Sequence, residues 1–366
     1  MMKIMLIFFG LILFITNIGC QQDVINKDAA KNTIRVRDGK YDSEFPGMPV
    51  SEYLTRISKS VHLLSILAFY QSYNFELESK IKKEDLLKID LDAKATEKLV
   101  FEQPASGTAS LIYFDGKRIA FLTCAHIIDF PDTVINYYWT ENKTETKFVK
   151  SFIYKVRQTN NVINQPIAFD FRILAMDKIN DIALIGKEVI AGTEYRFQSE
   201  MDKKSRPALL VLNTPLGRAG DLELGTFVYI MGFPQAKKMV STAIVSSPNY
   251  DRNNSFILDA ILQKGISGGL ILAIRDGVPN FELVGITKAI SGSTQYTIVP
   301  DQGAYYSEWE FHKPYNGKVF LEKRDFSDPG MTFAVGIETI LEFINENETN
   351  LLKAGYLPEN FFKRIK

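Results

Sequence analysis

From Leu99 to Thr287 the chain is broken into short apolar runs separated by turn-forming residues, and this pattern constrains the fold more than any other feature of the sequence. LVFEQ, ASLIYF, RIAFLTCA, FRILAM, DIALIG, ALLVL, FVYIMG, SFILDAI, GLILAI and ELVGIT are rich in Val, Ile, Phe and Tyr and bounded by Gly, Asn, Asp or Pro. Such residues favour strands, and many short strands at this spacing imply a mainly β chain built as a sandwich or barrel. Two stretches depart from the pattern. Tyr53, Leu54, Ile57, Val61, Leu64 and Leu67 recur at spacings of three and four, which predicts a helix from Val50 to about Lys83. A further short helix is expected within Glu84–Lys98, so residues 50–95 read as an N-terminal helical segment, with His62 as a helix-surface or packing residue. Near the end, Val335, Ile337, Ile340, Leu341 and Ile344 share one face, which predicts a C-terminal helix over Ala334–Glu346. The polar and aromatic stretch 291–330 has weak periodicity and reads as a long surface insertion in the β-rich unit.

Composition excludes several classes of function. The 366 residues carry 43 Lys+Arg against 43 Asp+Glu, and this balance calls for neither nucleic acid nor an acidic surface. Two cysteines, Cys20 and Cys124, do not make a disulfide framework. With no CxxC and no Cys/His cluster, neither a structural zinc site nor any other metal or cofactor is expected. Histidine acid–base chemistry has three candidates, His62, His126 and His312.

The first residues, MMKIMLIFFGLILFITNIGC, place Lys3 before an apolar run from Ile4 to Ile15 and small Gly19 before Cys20. The run is too short to span a bilayer core of about 30 Å comfortably and has the layout of an export signal. Its ending resembles a bacterial lipoprotein signal, in which the cysteine after a small residue is lipidated and becomes the mature N-terminus. Asn17 stands where such signals usually have Leu. The resemblance implies a signal over 1–19, lipidation of Cys20, a polar tether over 20–49, and an exported chain held by lipid at the cell envelope or in the periplasm.

Three local patterns carry the candidate chemistry. GTASLIYFDGKRIAFLTCAHII is two strands joined by an Asp115-Gly116 turn that run into His126. NDIALIG opens a strand with Asp181. LDAILQKGISGGLIL sets Ser267 among glycines between two strands, which suits either a tight turn or a nucleophile on a bent backbone. Each pattern alone is common. Together they put His126, Asp181 and Ser267 at strand ends in the order His, Asp, Ser, one of the known orders of a catalytic triad.

These segments resemble the trypsin-like serine peptidases, and within them the HtrA/Deg-like branch of bacterial envelopes. TCAH at 123–126 is similar to the family's TAAH, and DIALI at 181–185 to its DLAL. GTFVYIMGFP at 225–234 is similar to a strand ending in a Gly-x-Pro turn. LDAILQKGISGG at 258–269 is similar to TDAAINPGNSGG, with Asp259 in the same place. LVGITKAI at 283–290 and TFAVGIETILEFI at 332–344 resemble the strand after the serine and the closing strand and helix. The resemblance covers about two thirds of the chain and implies a double β-barrel peptidase domain over 96–347, with a tail over 348–366. No PDZ-sized segment follows.

What the resemblance implies for the site is specific. Ser267 is the nucleophile, His126 the general base and Asp181 the residue that orients the imidazole. The N–H groups of Gly265 and Ser267 form the oxyanion hole. Ile261 falls near the base of the pocket for the side chain preceding the scissile bond and Ile290 on its wall, implying small or medium aliphatic preference. Polypeptides are the substrates. Three departures stand out. Ile266 occupies the place of the trypsins' Asp, which pairs with a freed N-terminus, and of the HtrA-type Asn. Lys264 and Leu270 replace prolines. Lys288 stands where Ser or Thr is common beside the catalytic Asp, with Thr287 one residue away. Cys124 could in principle be a nucleophile, but a buried thiol in place of Ala is the simpler reading. Two functions remain open: an active serine endopeptidase, and a catalytically weak or inactive protease-like module that binds peptides or partner proteins.

Overall fold

A computed structural model describes residues 37–140, 144–163, 170–189, 210–251, 253–260, 263–300 and 319–363. The export signal, Cys20 and the tether before residue 37 lie outside the described residues. Asp38–Lys366 form one compact unit.

In chain order, helix α1 (Ser51–Ser58) precedes strand β1 (Val61–Asn74) and the one-turn helix α2 (Leu91–Lys94). Next come β2 (Glu97–Phe114), β3 (Arg118–Thr123), the one-turn helix α3 (Ala125–Ile128), β4 (Thr133–Trp139), β5 (Glu145–Ile163), β6 (Arg172–Asp177) and β7 (Ile182–Glu188). The second half holds β8 (Phe227–Gly232), β9 (Met239–Ser247), β10 (Phe256–Leu258), β11 (Leu270–Ile274), β12 (Phe281–Pro300) and β13 (Val319–Gly336). Helices α4 (Ile337–Glu346) and α5 (Glu348–Lys353) close the chain. Among the described residues the strands form a seven-stranded sheet in the order β4-β5-β1-β2-β3-β7-β6 and a closed barrel in the order β10-β13-β12-β11-β8-β9. The sheet curls so that the far part of β5 approaches the residues leading into β6: Phe171 N–H donates to Asn160 O at 2.9 Å, and Asn160 Nδ2 donates to Phe171 O at 2.8 Å. The chain is thus mainly β with two barrel-type units and C-terminal helices, as the sequence implied.

The apolar runs that announced themselves most clearly are buried on both faces. Val228 and Ile230 of β8 point into the barrel with Ile271 and Ala273 of β11. The alternate residues Tyr229, Met231, Leu270 and Leu272 join the core of the seven-stranded sheet. A strand covered on both sides has no polar face, so FVYIMG and GLILAI read as continuous runs. Helix α4 packs Ile337, Ile340, Phe343 and Ile344 against the same core. The β2–β3 hairpin turns at Asp115-Gly116: Gly116 takes φ +87°, and Asp115 Oδ1 accepts the N–H groups of Lys117 and Arg118.

Five expectations are corrected. The helical reading of 50–95 holds for Ser51–Ser58, but Val61–Asn74 is a strand at the centre of the sheet, paired with β2 and β5. Its true period is two: Leu64, Ile66, Ala68 and Tyr70 are buried while Ser65, Leu67 and Phe69 are half-exposed. The first four residues, Val61–Leu64, are buried on both faces, so the spacing from 61 to 64 matched a helix and let the pattern of α1 run on into the strand. The closing helix begins at Ile337, and Thr332–Val335 belong to β13. The stretch 291–330 is, where described, a two-stranded extension of β12 and β13, paired from Gly292↔Ser327 to Pro300↔Val319. The described part of ALLVL, from Leu210, is not a strand, although Leu212 is buried and donates its N–H to Leu111 O at 2.7 Å. The end of the stretch read as tether also packs: Tyr41 is buried, its hydroxyl donates to Glu282 Oε2 at 2.7 Å, and the Arg275 guanidinium lies 4.0 Å from its ring centroid.

The strand period of β1 can be tested by truncation. Leu64→Ala and Ile66→Ala should each cost about 2–5 kcal/mol in urea unfolding, and Leu67→Ala less than about half as much. Equal costs at 64 and 67 with none at 66 would restore the helix. His62 supplies a test in pH. Its ring packs edge-on against Phe121, and burial first, then Lys238, lowers its pKa to about 3. The unfolded chain then binds a proton that the folded chain refuses, so stability is fully present above about pH 6.5 and declines toward pH 3. The slope from this residue should approach about 1.4 kcal/mol per pH unit, and His62→Phe should flatten it, as read from urea midpoints across that range.

Candidate active site

Strands β3 and β7 are antiparallel neighbours, with Thr123 opposite Ala183. Their adjacent ends therefore bring the residue just after one strand beside the residue just before the other. The chain leaves β3 into the single turn α3, which buries Ala125, Ile127 and Ile128 and leaves the His126 side chain about half exposed. Asp181 is buried at the head of β7 with φ +61°, a left-handed conformation that Asp tolerates better than most residues. The preceding turn is tied by Asp177, whose Oδ1 accepts the N–H groups of Ile179 and Asn180. The Asp181 carboxylate grips His126 twice: Oδ1 accepts its backbone N–H at 2.8 Å and Oδ2 lies 2.7 Å from Nδ1. With Nδ1 carrying the proton toward Asp181, Nε2 is the basic nitrogen.

Cys124 is fully buried, with Sγ 3.2 Å from Thr287 O. Burial above all, and then the Asp181 charge, push its thiol well above the ordinary range. It is a packed, neutral thiol rather than a nucleophile. Donor atoms of Cys124, His126 and Asp181 lie within 4.8 Å of one another, close enough for a metal to bridge. A thiol held protonated and a carboxylate already gripping one histidine twice are a poor donor set for one. Lys288 turns away from this cluster, its ammonium donating to Ile179 O at 3.2 Å. Thr287 also faces elsewhere: its hydroxyl donates to Ile266 O at 2.6 Å and accepts Gly269 N–H at 3.0 Å.

The Ser267 turn belongs to the other unit and is stitched to β2. Thr108 N–H donates to Ser267 O at 2.8 Å, and Gly268 N–H donates to Thr287 O at 2.8 Å. Gly107 lies between the Ile127 side chain and Ser267 O, so the residue after His126 and the backbone of Ser267 flank the same glycine. Two glycines of the turn are structurally required. Gly265 has φ +101°, and a Cβ there would sit 2.4 Å from Phe233 O. Gly268 has φ +83°, and a Cβ there would sit 2.2 Å from Thr108 O. Ile266 is buried in the barrel core, where its Cδ1 closes on Gly232.

The backbone of this turn is almost fully engaged. Lys264 O accepts Gln235 N–H at 2.8 Å, Gly265 O accepts the Thr108 hydroxyl at 2.9 Å, and Ile266 O accepts Gly269 N–H at 2.7 Å. Ile266 N–H donates to Gln263 O at 3.3 Å. The N–H groups of Gly265 and Ser267 have no acceptor among the described residues. Ser267 itself is half-buried, and among the described residues its Oγ makes no hydrogen bond, His126 included. Of the two residues expected to line the substrate pocket, Ile261 lies outside the described residues. Ile290 is placed by its backbone in β12, opposite Thr332. Of the residues that hold the turn, Thr108 and Gln235 were not singled out from the sequence, and Thr287 was noted only as the neighbour of Lys288. Their partners are remote in the chain, and only a polar residue at the head of the apolar run ASLIYF hinted at Thr108.

No protein-family model matches the chain, and no curated protein matches it. Among solved structures the chain is similar to the Rv3671c protease from M. tuberculosis, in a crystal structure of its active form. The TM-score is 0.36 and the identity 11%, over 85% of this chain and 91% of that one.

The burial of Cys124 predicts an inert thiol. Iodoacetamide at pH 8 should leave Cys124 unmodified in the folded protein and alkylate it readily in 6 M guanidinium, as read by peptide mass spectrometry. Rapid alkylation in the native state would contradict the packing described above.

Proposed function

We propose that this chain is a serine endopeptidase that cleaves polypeptides through an acyl-enzyme, and that it is exported and held at the bacterial cell envelope by lipid on Cys20. The observation that carries the catalytic reading is the hydrogen bonding of the Ser267 turn. Every carbonyl from Lys264 to Ser267 is engaged, while the N–H groups of Gly265 and Ser267 find no acceptor among the described residues. Two donors unengaged among the described residues, one of them the serine's own N–H, are what an oxyanion needs, and close to that turn Asp181 holds a histidine by ring and backbone.

In this reading His126 Nε2 takes the proton of Ser267 Oγ as the oxygen attacks the peptide carbonyl carbon. Asp181 keeps the proton on Nδ1 and stabilises the imidazolium that forms. The carbonyl oxygen becomes an oxyanion and accepts the N–H groups of Gly265 and Ser267. When the tetrahedral intermediate collapses, the C–N bond breaks and the imidazolium proton passes to the leaving amine. Water, deprotonated by His126, then releases the acyl group and restores the serine. Preference for small or medium aliphatic residues before the scissile bond rests on the sequence positions of Ile261 and Ile290 alone.

The second reading, a weak or inactive protease-like module that binds peptides, is favoured by one observation: Ser267 Oγ is not hydrogen-bonded to His126. Catalytic contacts of unliganded enzymes often tighten only when substrate binds, so this contact separates the readings less than the donors do.

A fluorophosphonate probe decides between them. The wild type should be labelled, Ser267→Ala should not, and Ser291→Ala should label like the wild type. His126→Ala and Asp181→Asn should lower labelling or peptide turnover by roughly 10³–10⁴-fold. Absence of label on the wild type, with and without added peptide, would leave the binding module as the surviving function.

A further inference from the structure

A turn with two N–H groups that find no acceptor among the described residues needs something to fix its backbone, and the side chain at Ile266 carries no charge with which to do so. Resting on the serine-peptidase reading, we propose that Thr108 is the positioning residue that holds the Ser267 turn in its oxyanion-binding form. Thr108 is fully buried and every polar atom it has is engaged. Its N–H donates to Ser267 O at 2.8 Å, and its carbonyl accepts the Thr123 hydroxyl at 2.8 Å. Its hydroxyl accepts Phe233 N–H at 2.9 Å and donates to Gly265 O at 2.9 Å. A hydroxyl is one of the few side-chain groups that can receive a donor and serve an acceptor at once. Valine has nearly the same shape and can do neither.

The peptide unit explains why carbonyl contacts govern the N–H groups. In a trans peptide the C=O of one residue and the N–H of the next point in opposite directions. Lys264 O is held by Gln235 N–H, so Gly265 N–H points away from Gln235. Ile266 O is held by Gly269 N–H and the Thr287 hydroxyl, so Ser267 N–H points away from them. Thr108 fixes the two remaining carbonyls, those of Gly265 and Ser267. Gly265 is the weak point, because a glycine at φ +101° has other conformations open to it at little cost. Releasing its carbonyl leaves the 265–266 peptide held only by the 3.3 Å bond from Ile266 N–H to Gln263 O, and rotation there shifts the dihedrals of Gly265, whose own N–H is one of the two donors. Thr108 is also tied through Thr123 to the end of β3, from which the chain enters the turn carrying His126. Thr108 thus sets the spacing between the base and the oxyanion donors without touching substrate.

The test is a hydroxyl series on the full chain: Thr108→Ser, Thr108→Ala and Thr108→Val. The readouts are the second-order rate of Ser267 labelling by a fluorophosphonate–rhodamine probe, the urea midpoint, and amide exchange over 263–270. Thr108→Ser should label within about threefold of the wild type, and Thr108→Ala and Thr108→Val roughly 10²–10³-fold more slowly. Exchange over 263–270 should rise in the Ala variant and not in the Ser variant. Ser and Ala differ by the hydroxyl and both fall short of threonine in volume, so this pair decides the matter even if the Val variant does not fold. Equal labelling of the Ser and Ala variants would overturn the role of Thr108 and leave the peptidase intact. If the wild type does not label, the peptidase reading falls, and exchange alone judges the hold on the turn: faster in Ala than in Ser upholds it, and equal exchange ends it.

Discussion

Three hydrogen bonds made by one buried threonine cross the seam between the seven-stranded sheet and the closed barrel, and the geometry of the candidate site depends on them. Thr108 sits on β2, yet three of its bonds reach residues of the barrel unit: Phe233, Gly265 and Ser267. Its fourth reaches Thr123, at the end of the strand that leads to His126. A buried polar network of this kind stabilises one arrangement strongly because each lost contact leaves a group with no water to replace it. The rest of the seam includes Tyr229, Met231, Leu270, Leu272 and Ile286 against the sheet core, with Cys124 Sγ on Thr287 O and the Lys288 ammonium on Ile179 O as further polar contacts. Apolar contacts hold the units together without fixing their register; the directional bonds of Thr108 do fix it.

Ile266 completes this arrangement from the other side. Its side chain fills the barrel core next to Val228, Ile230 and Ile271, while its carbonyl is bound by Gly269 and Thr287. The turn is therefore pinned below by burial and above by hydrogen bonds. An ion pair at this place would carry a desolvation cost that a buried isoleucine avoids, and would tie the conformation of the turn to whatever supplied the partner charge. With isoleucine the turn is set as soon as the chain folds.

What could be read in the sequence follows from where each element's partners lie. Strands buried on both faces, such as β8 and β11, stood out because no polar residue interrupts them. β1, β4, β5 and β9 carry polar residues on their exposed faces, and their runs of alternating character were missed or, in β1, taken for a helix. The Asp115-Gly116 turn was legible because its bonds are local. His126 and Asp181 were legible as a pair because both stand at ends of apolar runs. Thr108 was not, since all four of its partners are distant in sequence and a single threonine beside a strand gives no local sign of them. Lys288 and Thr287 show the same limit: the register that turns one toward Ile179 and the other toward Ile266 is set by pairing with β11 and β13.

The contrast between the two readings of the site narrows to side chains. The backbone of the Ser267 turn is held at every carbonyl from Lys264 to Ser267, and the His126 backbone is held by Asp181 Oδ1. Rebuilding either segment would break several buried hydrogen bonds together. The freedom that remains lies in χ1 of Ser267, which rotates between staggered wells without disturbing the network, whereas turning the His126 ring would break its bond to Asp181 Oδ2. An active and an inactive form of this chain would share one backbone here. Within the proposed peptidase mechanism, the difference between them is the contact from Oγ to Nε2, of the kind that tightens when substrate binds.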